Sequence, residues 1–339
     1  MKKIAFNNMY RDYWNNNLFD VSKCAIGENI LQPNIDFKAE LTKLGYEVNT
    51  MDLVKLKEQE YLIFQDIPMD SYISNKSPMF RIKHLIRGRY KEDFLFLAAK
   101  MRLKNKMILL ALEPPIINRF SYDEGIHKLF DKILTWQDDL VDNKKYFKLN
   151  YPQPEPKDKY FVEFKKKKFC TLIASNKVSN DPRELYSERA NAIDYFERHA
   201  EFEFDLYGFG WDKNLKNYKG TVDRKLQTMS QYKYCVCYEN MTDINGYITE
   251  KIFDAFRANC IPIYWGATNI DSFIPNNTFI DRRNFKSFED LIKHIQNISE
   301  EEYNIYLKNI QQYLLSDSFK NQFSTEAYIK TIKDVLNIR

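Results

Sequence analysis

Residues 232–266, YKYCVCYENMTDINGYITEKIFDAFRANCIPIYWG, constrain the fold more than any other stretch of this chain. They open on a nearly continuous apolar run, 232–238, and pass through a polar loop, 239–247. An amphipathic helical pattern follows over 250–258, then a second apolar run over 261–265. Apolar strands buried on both faces and joined by a helix make a parallel βαβ unit. Ligands of such units sit beyond the carboxyl ends of strands and at the amino ends of helices. Glu239, Asn240, Tyr247, Glu250 and Lys251 fall there. With an arginine upstream, they point to a pocket for a nucleotide-activated sugar.

The rest of the chain repeats this alternation. Strands are expected over 2–7, 46–51, 60–65, 106–112 and 132–136, and helices over 37–44, 90–103 and 124–130. Gly45 reads as the left-handed cap that stops the first helix. Glu113 is held at the end of the strongest strand of this half, because Pro114 and Pro115 forbid continuation. In the second half strands are expected over 169–174, 205–210, 232–238, 261–265 and 278–280. Helices are expected over 183–199, 250–258, 287–298, 300–315 and 324–339. Residues 151–159, with three prolines, suit a stiff connector. At 339 residues the chain exceeds one ordinary domain of about 150. The division is therefore 1–150, a linker 151–159, a second domain 160–320 and a terminal helix 321–339. The fold class is α/β, with two Rossmann-like domains facing a cleft and C-terminal helices.

Charge narrows the partners. The 51 basic and 47 acidic residues nearly cancel, and no basic-aromatic strand motif is present, which argues against a nucleic-acid partner. Lys165, Lys166, Lys167 and Lys168 form a basic run. It reads as a solvated turn before a strand, with a phosphate or lipid contact as the alternative. The five cysteines form no CxxC pair and suit a reducing compartment. The opening MKKIAFNNMYRDYW is too polar for a secretory signal, and no run of about 18 apolar residues occurs. A soluble cytoplasmic protein is expected, with peripheral contact at the inner membrane face as a variant.

Transfer of a sugar from a nucleoside diphosphate needs positive charge at the leaving group, an anion or dipole near the anomeric carbon, and a base for the acceptor. No Asp-x-Asp pair is present to hold a divalent ion, so the charge must come from side chains and a helix amino end. Lys251 lies in the first turn of the 250–258 helix, behind Thr249 as a candidate N-cap. A cation there opposes the helix dipole, and makes sense if an anion docks on the free N–H groups.

The segment resembles the α1,3/4-fucosyltransferase family, glycosyltransferase family 10, in its bacterial type. The resemblance rests on Tyr238-Glu239-Asn240, Tyr247-Ile248-Thr249-Glu250-Lys251 and Ile261-Pro262-Ile263. Upstream, Phe169-Cys170, Ser175-Asn176, an arginine-led helix at Arg189, and Tyr207-Gly208 with Gly210 extend it; Ile274-Pro275, Phe279-Ile280 and Asn284-Phe285 close it. It covers about residues 160–285 and is weak before them.

The resemblance implies a GT-B enzyme that transfers L-fucose from GDP-β-L-fucose with inversion and requires no metal or other cofactor. The acceptor would be a hydroxyl of an N-acetylglucosamine-containing glycan, an oligosaccharide or lipid-linked chain of a surface polysaccharide or lipopolysaccharide, in α1,3 or α1,4 linkage. Arg189 and Lys251 would grip the diphosphate, with Arg183 as the alternative to Arg189. Asn240 and Tyr247 would line the donor site. Glu250 would touch the nucleotide sugar and stabilise positive charge. Glu113 would be the general base. The alternatives are a GT-B transferase of another nucleotide sugar and a non-catalytic sugar-nucleotide or glycan binder.

Overall fold

In the computed structural model, residues 2–23, 29–77, 89–156, 158–199 and 201–339 are described. The chain divides into two compact units, Met1–Pro154 with Thr325–Arg339, and Glu155–Ser324. The division falls within the proline-rich stretch 151–159, which carries no helix or strand among its described residues.

The first unit is built on strands β1 Lys2–Asn8, β2 Tyr46–Thr50, β3 Tyr61–Gln65, β4 Met107–Ala111, β5 Lys132–Thr135 and β6 Tyr146–Lys148. They pair in the order β2-β1-β3-β4-β5-β6, all parallel. The order reverses between β1 and β3, the place where open parallel sheets bind ligands. Helix α1, Gln32–Lys43, buries Phe37 and Leu41 and ends before Gly45, whose φ of +80° supplies the left-handed turn. Two more helices, α2 Met69–Lys76 and α3 Phe94–Lys100, lead to β4.

Between β3 and β5, two expected helices are shorter than their patterns. The 90–103 pattern contains a 3₁₀ turn, Arg89–Glu92, and then α3. Asp93 separates them: its side chain accepts from the Phe96 N–H, so it starts a helix rather than continuing one. The 124–130 pattern yields one turn, α4 Glu124–His127, capped by Asp123. Strand β6 escaped notice because three residues carry no period.

The second unit holds β7 Lys168–Ile173, α5 Tyr186–Arg198, β8 Phe204–Tyr207, α6 Lys225–Met229, β9 Tyr232–Tyr238, α7 Glu250–Arg257, β10 Ile261–Trp265 and β11 Ile280–Asp281. Helices α8 Phe288–Gln296, α9 Glu300–Leu315 and α10 Asp317–Phe323 complete it. The sheet order is β11-β10-β9-β7-β8, again all parallel, with its reversal between β7 and β9. Strands β9 and β10 are neighbours, Tyr234 opposite Ile261, so the βαβ unit read at 232–266 is present. Both faces are covered: Cys235 and Cys237 pack with Ile252, Phe253 and Phe256 of α7, and Tyr234, Val236 and Tyr238 with Ile193 and Phe196 of α5. That double burial explains the nearly continuous apolar run. Four cysteines, Cys170, Cys235, Cys237 and Cys260, are buried free thiols; Cys24 lies outside the described residues.

The final helix, α11 Thr325–Val335, belongs to the first unit. Its apolar side, Tyr328, Ile332, Val335 and the following Leu336, joins the core formed by Ile4, Phe37 and Ile63. The Tyr61 hydroxyl donates to the Leu336 carbonyl at 2.7 Å.

The lysine run is mostly committed. Lys166 pairs with Glu163, and Lys168 with Asp205 at 2.8 Å. Lys167 is buried, and its ammonium donates to the carbonyls of Ser230 at 2.6 Å, Asn259 at 2.9 Å and Tyr232 at 3.3 Å. It therefore ties the start of β9 to the turn after α7. Lys167→Met should lower unfolding free energy by about 2–3 kcal/mol, because buried carbonyls lose a donor. Urea denaturation of both proteins checks this.

One glycine is dictated by close approach. Gly208 has φ +135°, and a Cβ there would lie 2.0 Å from the Ala174 carbonyl oxygen. That contact joins the ends of β7 and β8, where Tyr207-Gly208 and Gly210 stand out in the sequence.

Candidate active site

The second sheet reverses its strand order between β7 and β9, and β9 ends at that point on Glu239 and Asn240. Glu239 is fully buried. Its Oε1 accepts from the Thr249 N–H at 2.8 Å, and its Oε2 from the Thr249 hydroxyl at 2.7 Å and the Lys251 ammonium at 3.0 Å. A buried carboxylate survives when it is paired and hydrogen-bonded, and Glu239 is both. It holds the amino end of α7 against the end of β9.

This changes what Thr249 does. It occupies the N-cap position of α7 with extended backbone (φ −115°, ψ −169°), but its side chain makes no capping bond. Its hydroxyl goes to Glu239, so Thr249 caps none of the first-turn N–H groups of α7. Uncapped N–H groups at a helix start form an anion site.

Lys251 sits beside them. Two of its three ammonium protons go to Glu239 and to Thr249 Oγ1, the latter at 3.0 Å. Glu250 Oε1 lies 3.6 Å away. Burial pushes the Lys251 ammonium down, but Glu239 and Glu250 outweigh it and hold its pKa above the ordinary value. Glu250 is half exposed. Loss of water contact raises its carboxyl, yet Lys251, then Lys225 and its own N–H, bring it down to about 2. It is an anion throughout the neutral range. Lys225 of α6 pairs with Asp254 at 2.7 Å and adds positive charge behind Glu250.

Arg189 of α5 is buried. Its Nη2 donates to the carbonyls of Tyr238 and Glu239, both at 2.7 Å, and to Asn240 Oδ1 at 3.1 Å. The guanidinium stacks on the Tyr186 ring, 5.1 Å from its centroid. Its hydrogen bonds among the described residues all run through Nη2, leaving Nε and Nη1. Asn240 is thus tied to Arg189, and its carbonyl accepts from Leu185 N–H at 3.1 Å. Tyr247 is buried, its carbonyl accepts from the Tyr264 hydroxyl at 3.4 Å, and its phenol acts electrostatically on Arg189. Arg189, Asn240, Tyr247, Glu250 and Lys251 therefore gather around one strand end and one helix start.

Arg183 lies elsewhere in the local architecture. The 183–199 helix begins only at Tyr186, because Glu184 accepts from the Ser187 N–H and sets the first turn. Arg183 precedes it and forks onto Asp181, with Nε–Oδ1 and Nη2–Oδ2 both 3.1 Å. Gly266, just past β10, leaves room for Glu239: a Cβ there would lie 2.5 Å from Glu239 Cγ and 2.4 Å from the Tyr264 hydroxyl.

In the first unit Glu113 follows β4 by two residues, half-buried. Its N–H donates to Asp66 Oδ2 at 3.0 Å, and its carbonyl accepts from the Tyr122 hydroxyl at 2.9 Å. Asp66 follows β3 directly, is buried, and has φ +59°.

Sequence reading placed Glu239 at the pocket without a part in its chemistry, and gave no role to Lys225 or Asp66. Glu239 carried a signal, an acid immediately after a nearly continuous apolar run. Lys225 and Asp66 carried none, because their neighbours are distant in sequence. Among the described residues, no group of three or more His, Cys, Asp or Glu could hold a metal ion, and no helix is long and apolar enough to cross a membrane.

Comparison with known proteins matches the same region. Residues 163–334 fit the model of the glycosyltransferase family 10 (fucosyltransferase) C-terminal domain. The alpha-(1,3)-fucosyltransferase FucT of Helicobacter pylori is 33% identical over 132 residues, covering 39% of this chain and 24% of that protein. The 4-galactosyl-N-acetylglucosaminide 3-alpha-L-fucosyltransferase 9 of Rattus norvegicus is 26% identical over 223 residues, covering 65% of this chain and 54% of that one. The chain thus aligns with about a quarter to a half of these relatives' lengths. The crystal structure of an alpha1,3-fucosyltransferase with GDP superposes with a TM-score of 0.55 at 17% identity, covering 99% of this chain and 90% of the other. That likeness shows the shared GT-B fold of two parallel sheets with helices. The family model spans more than half the chain, and the chain belongs to glycosyltransferase family 10, the fucosyltransferases.

Proposed function

We propose that this protein transfers L-fucose from GDP-β-L-fucose to a hydroxyl of an N-acetylglucosamine-containing glycan, with inversion and in α1,3 or α1,4 linkage. The observation that carries the reading is Glu239. Its bonds hold Lys251 beside the uncapped amino end of α7, inside the region that matches the fucosyltransferase family.

In this reading the departing diphosphate docks on the α7 N–H groups and accepts a hydrogen bond from the remaining N–H of the Lys251 ammonium. Arg189 offers Nε and Nη1. Charge developing on the leaving oxygen meets donors already fixed in place, the arrangement that lowers a barrier most. Glu250, anionic at neutral pH, stands at the same helix start and stabilises the cation-like anomeric carbon. Asn240, which accepts from Arg189, and Tyr247 line the donor site. Glu113 takes the proton of the acceptor hydroxyl as that oxygen attacks. The buried free thiols support a reducing, cytoplasmic setting, with an oligosaccharide or a lipid-linked glycan at the inner membrane face as acceptor.

Calorimetric titration with GDP-, UDP- and dTDP-sugars tests the donor. GDP-fucose should bind tightest. Equal or tighter binding of a UDP- or dTDP-sugar would sink the assignment.

A further inference from the structure

Asp66 and Glu113 leave adjacent parallel strands at the same sheet edge. Gln65 pairs with Leu110 in the β3–β4 ladder, and the next residues of each chain turn toward one another. The Asp66 N–H donates back to the Leu110 carbonyl at 3.0 Å, and Asp66 Oδ2 receives the Glu113 N–H at 3.0 Å. Asp66 therefore fixes the backbone from which the Glu113 side chain departs. It adopts a left-handed backbone to do so, which only a few non-glycine residue types, asparagine and aspartate among them, take readily.

The surroundings of the Asp66 carboxyl are unsuited to a charge. The residue is 3% exposed, and its Oδ1 is buried without a hydrogen-bond partner among the described residues. An ionised carboxylate offers about four acceptor sites and is costly to bury with so few filled. Among the described residues, the ionisable groups that bear on it are Glu113, Tyr10 and Tyr122, none of them a cation.

We propose that Asp66 is the positioning residue of Glu113: a buried carboxyl that keeps its own proton at neutral pH, so that Glu113 stands as the single anion of the pair. The proposal rests on reading Glu113 as the base. Two adjacent carboxyls do not both ionise easily, and here burial decides which one gives way. Glu113 is only partly buried, whereas Asp66 is almost wholly so. Burial first, then the charge of Glu113, pushes the Asp66 carboxyl well above the ordinary range, against the N–H groups of Glu113 and Leu112 and the Ser121 hydroxyl. Tyr10 is pushed up to about 12 by burial and by both carboxyls. In turnover Glu113 accepts the hydroxyl proton while Asp66 holds its own, so the pair cycles between one proton and two.

Asp66→Asn mimics the neutral acid in shape and tolerates the same backbone. Below the unfolded pKa of about 4, wild-type Asp66 is protonated in both states; above it the folded chain still holds a proton that the unfolded chain has released. Wild-type stability should therefore fall relative to Asp66→Asn between about pH 5 and pH 7, read as a growing gap in urea midpoint. The variant should keep neutral-pH transfer within about threefold, with the acid limb of kcat/KM in place. A midpoint gap that is flat or closes as pH rises, or an acid limb moved down by about a unit or more, would show an ionised Asp66 and overturn the proposal. Carboxyl ¹³C NMR of the unmutated chain reads the same state without a substitution. An aspartate signal still at its protonated position near pH 7 supports the proposal, and every aspartate ionised there overturns it. Glu113→Gln run in parallel separates the two ideas. Its retained activity would remove the base, while the stability and NMR arms still report on Asp66.

Discussion

Glu113→Gln is expected to lower the transfer rate by about 10²–10⁴-fold at neutral pH while leaving donor affinity within about twofold. Two of its contacts are main-chain, the N–H to Asp66 and the carbonyl from Tyr122, and an amide side chain leaves both intact. The donor groups, Arg189, Asn240, Tyr247, Glu250 and Lys251, belong to the other compact unit. A lost base should appear in kcat, and calorimetry with GDP-fucose should be unchanged. Parallel losses in turnover and donor binding would mean that Glu113 serves the donor instead. Unchanged turnover would end its role as base.

Lys251→Met has the second large effect, and it is double. Glu239 is fully buried, and Lys251 is its counter-charge at 3.0 Å. Removing one partner of a buried pair leaves an uncompensated charge and costs about 3–5 kcal/mol, discounted toward the lower figure because Thr249 still donates twice. The diphosphate also loses a charged donor, which should weaken GDP binding by about 10–100-fold. The double variant Lys251→Met/Glu239→Gln separates these effects. It removes the stranded charge, so most of the stability should return while GDP affinity stays low. Recovery of both would make Lys251 a purely structural partner of Glu239.

The fold was legible where the physics is local. The nearly continuous apolar run at 232–238 announced a strand covered on both faces, and it is β9, packed between α5 and α7. Pro114 and Pro115 placed Glu113 at a strand end, and β4 stops two residues before it. The helix expected from 183 starts at Tyr186 because a side-chain bond from Glu184 sets its first turn. Periodicity does not register a single capping acid, and the same holds for Asp93 before α3.

The site was legible in its members but not in its organisation. Lys251 stood out as a cation at the wrong end of a helix, and that oddity was real. Its counter-charge is Glu239, twelve residues earlier in a polar loop. Thr249 looked like a helix cap and instead gives its hydroxyl to Glu239. Asp66 meets Glu113 across a ladder of distant strands, a pairing that no short window contains. Charges that cancel in space need not be near in sequence, so residues that hold a site together are harder to read than those that face its ligand.

The most direct test of the account is GDP release from GDP-fucose by the full chain, with and without acceptors ending in galactosyl-N-acetylglucosamine, and product linkage read by NMR. The account predicts acceptor-dependent release and an α-linked fucose on the C3 or C4 hydroxyl of N-acetylglucosamine. Release at one rate whatever acceptor is present, or a β-linked product, would contradict it.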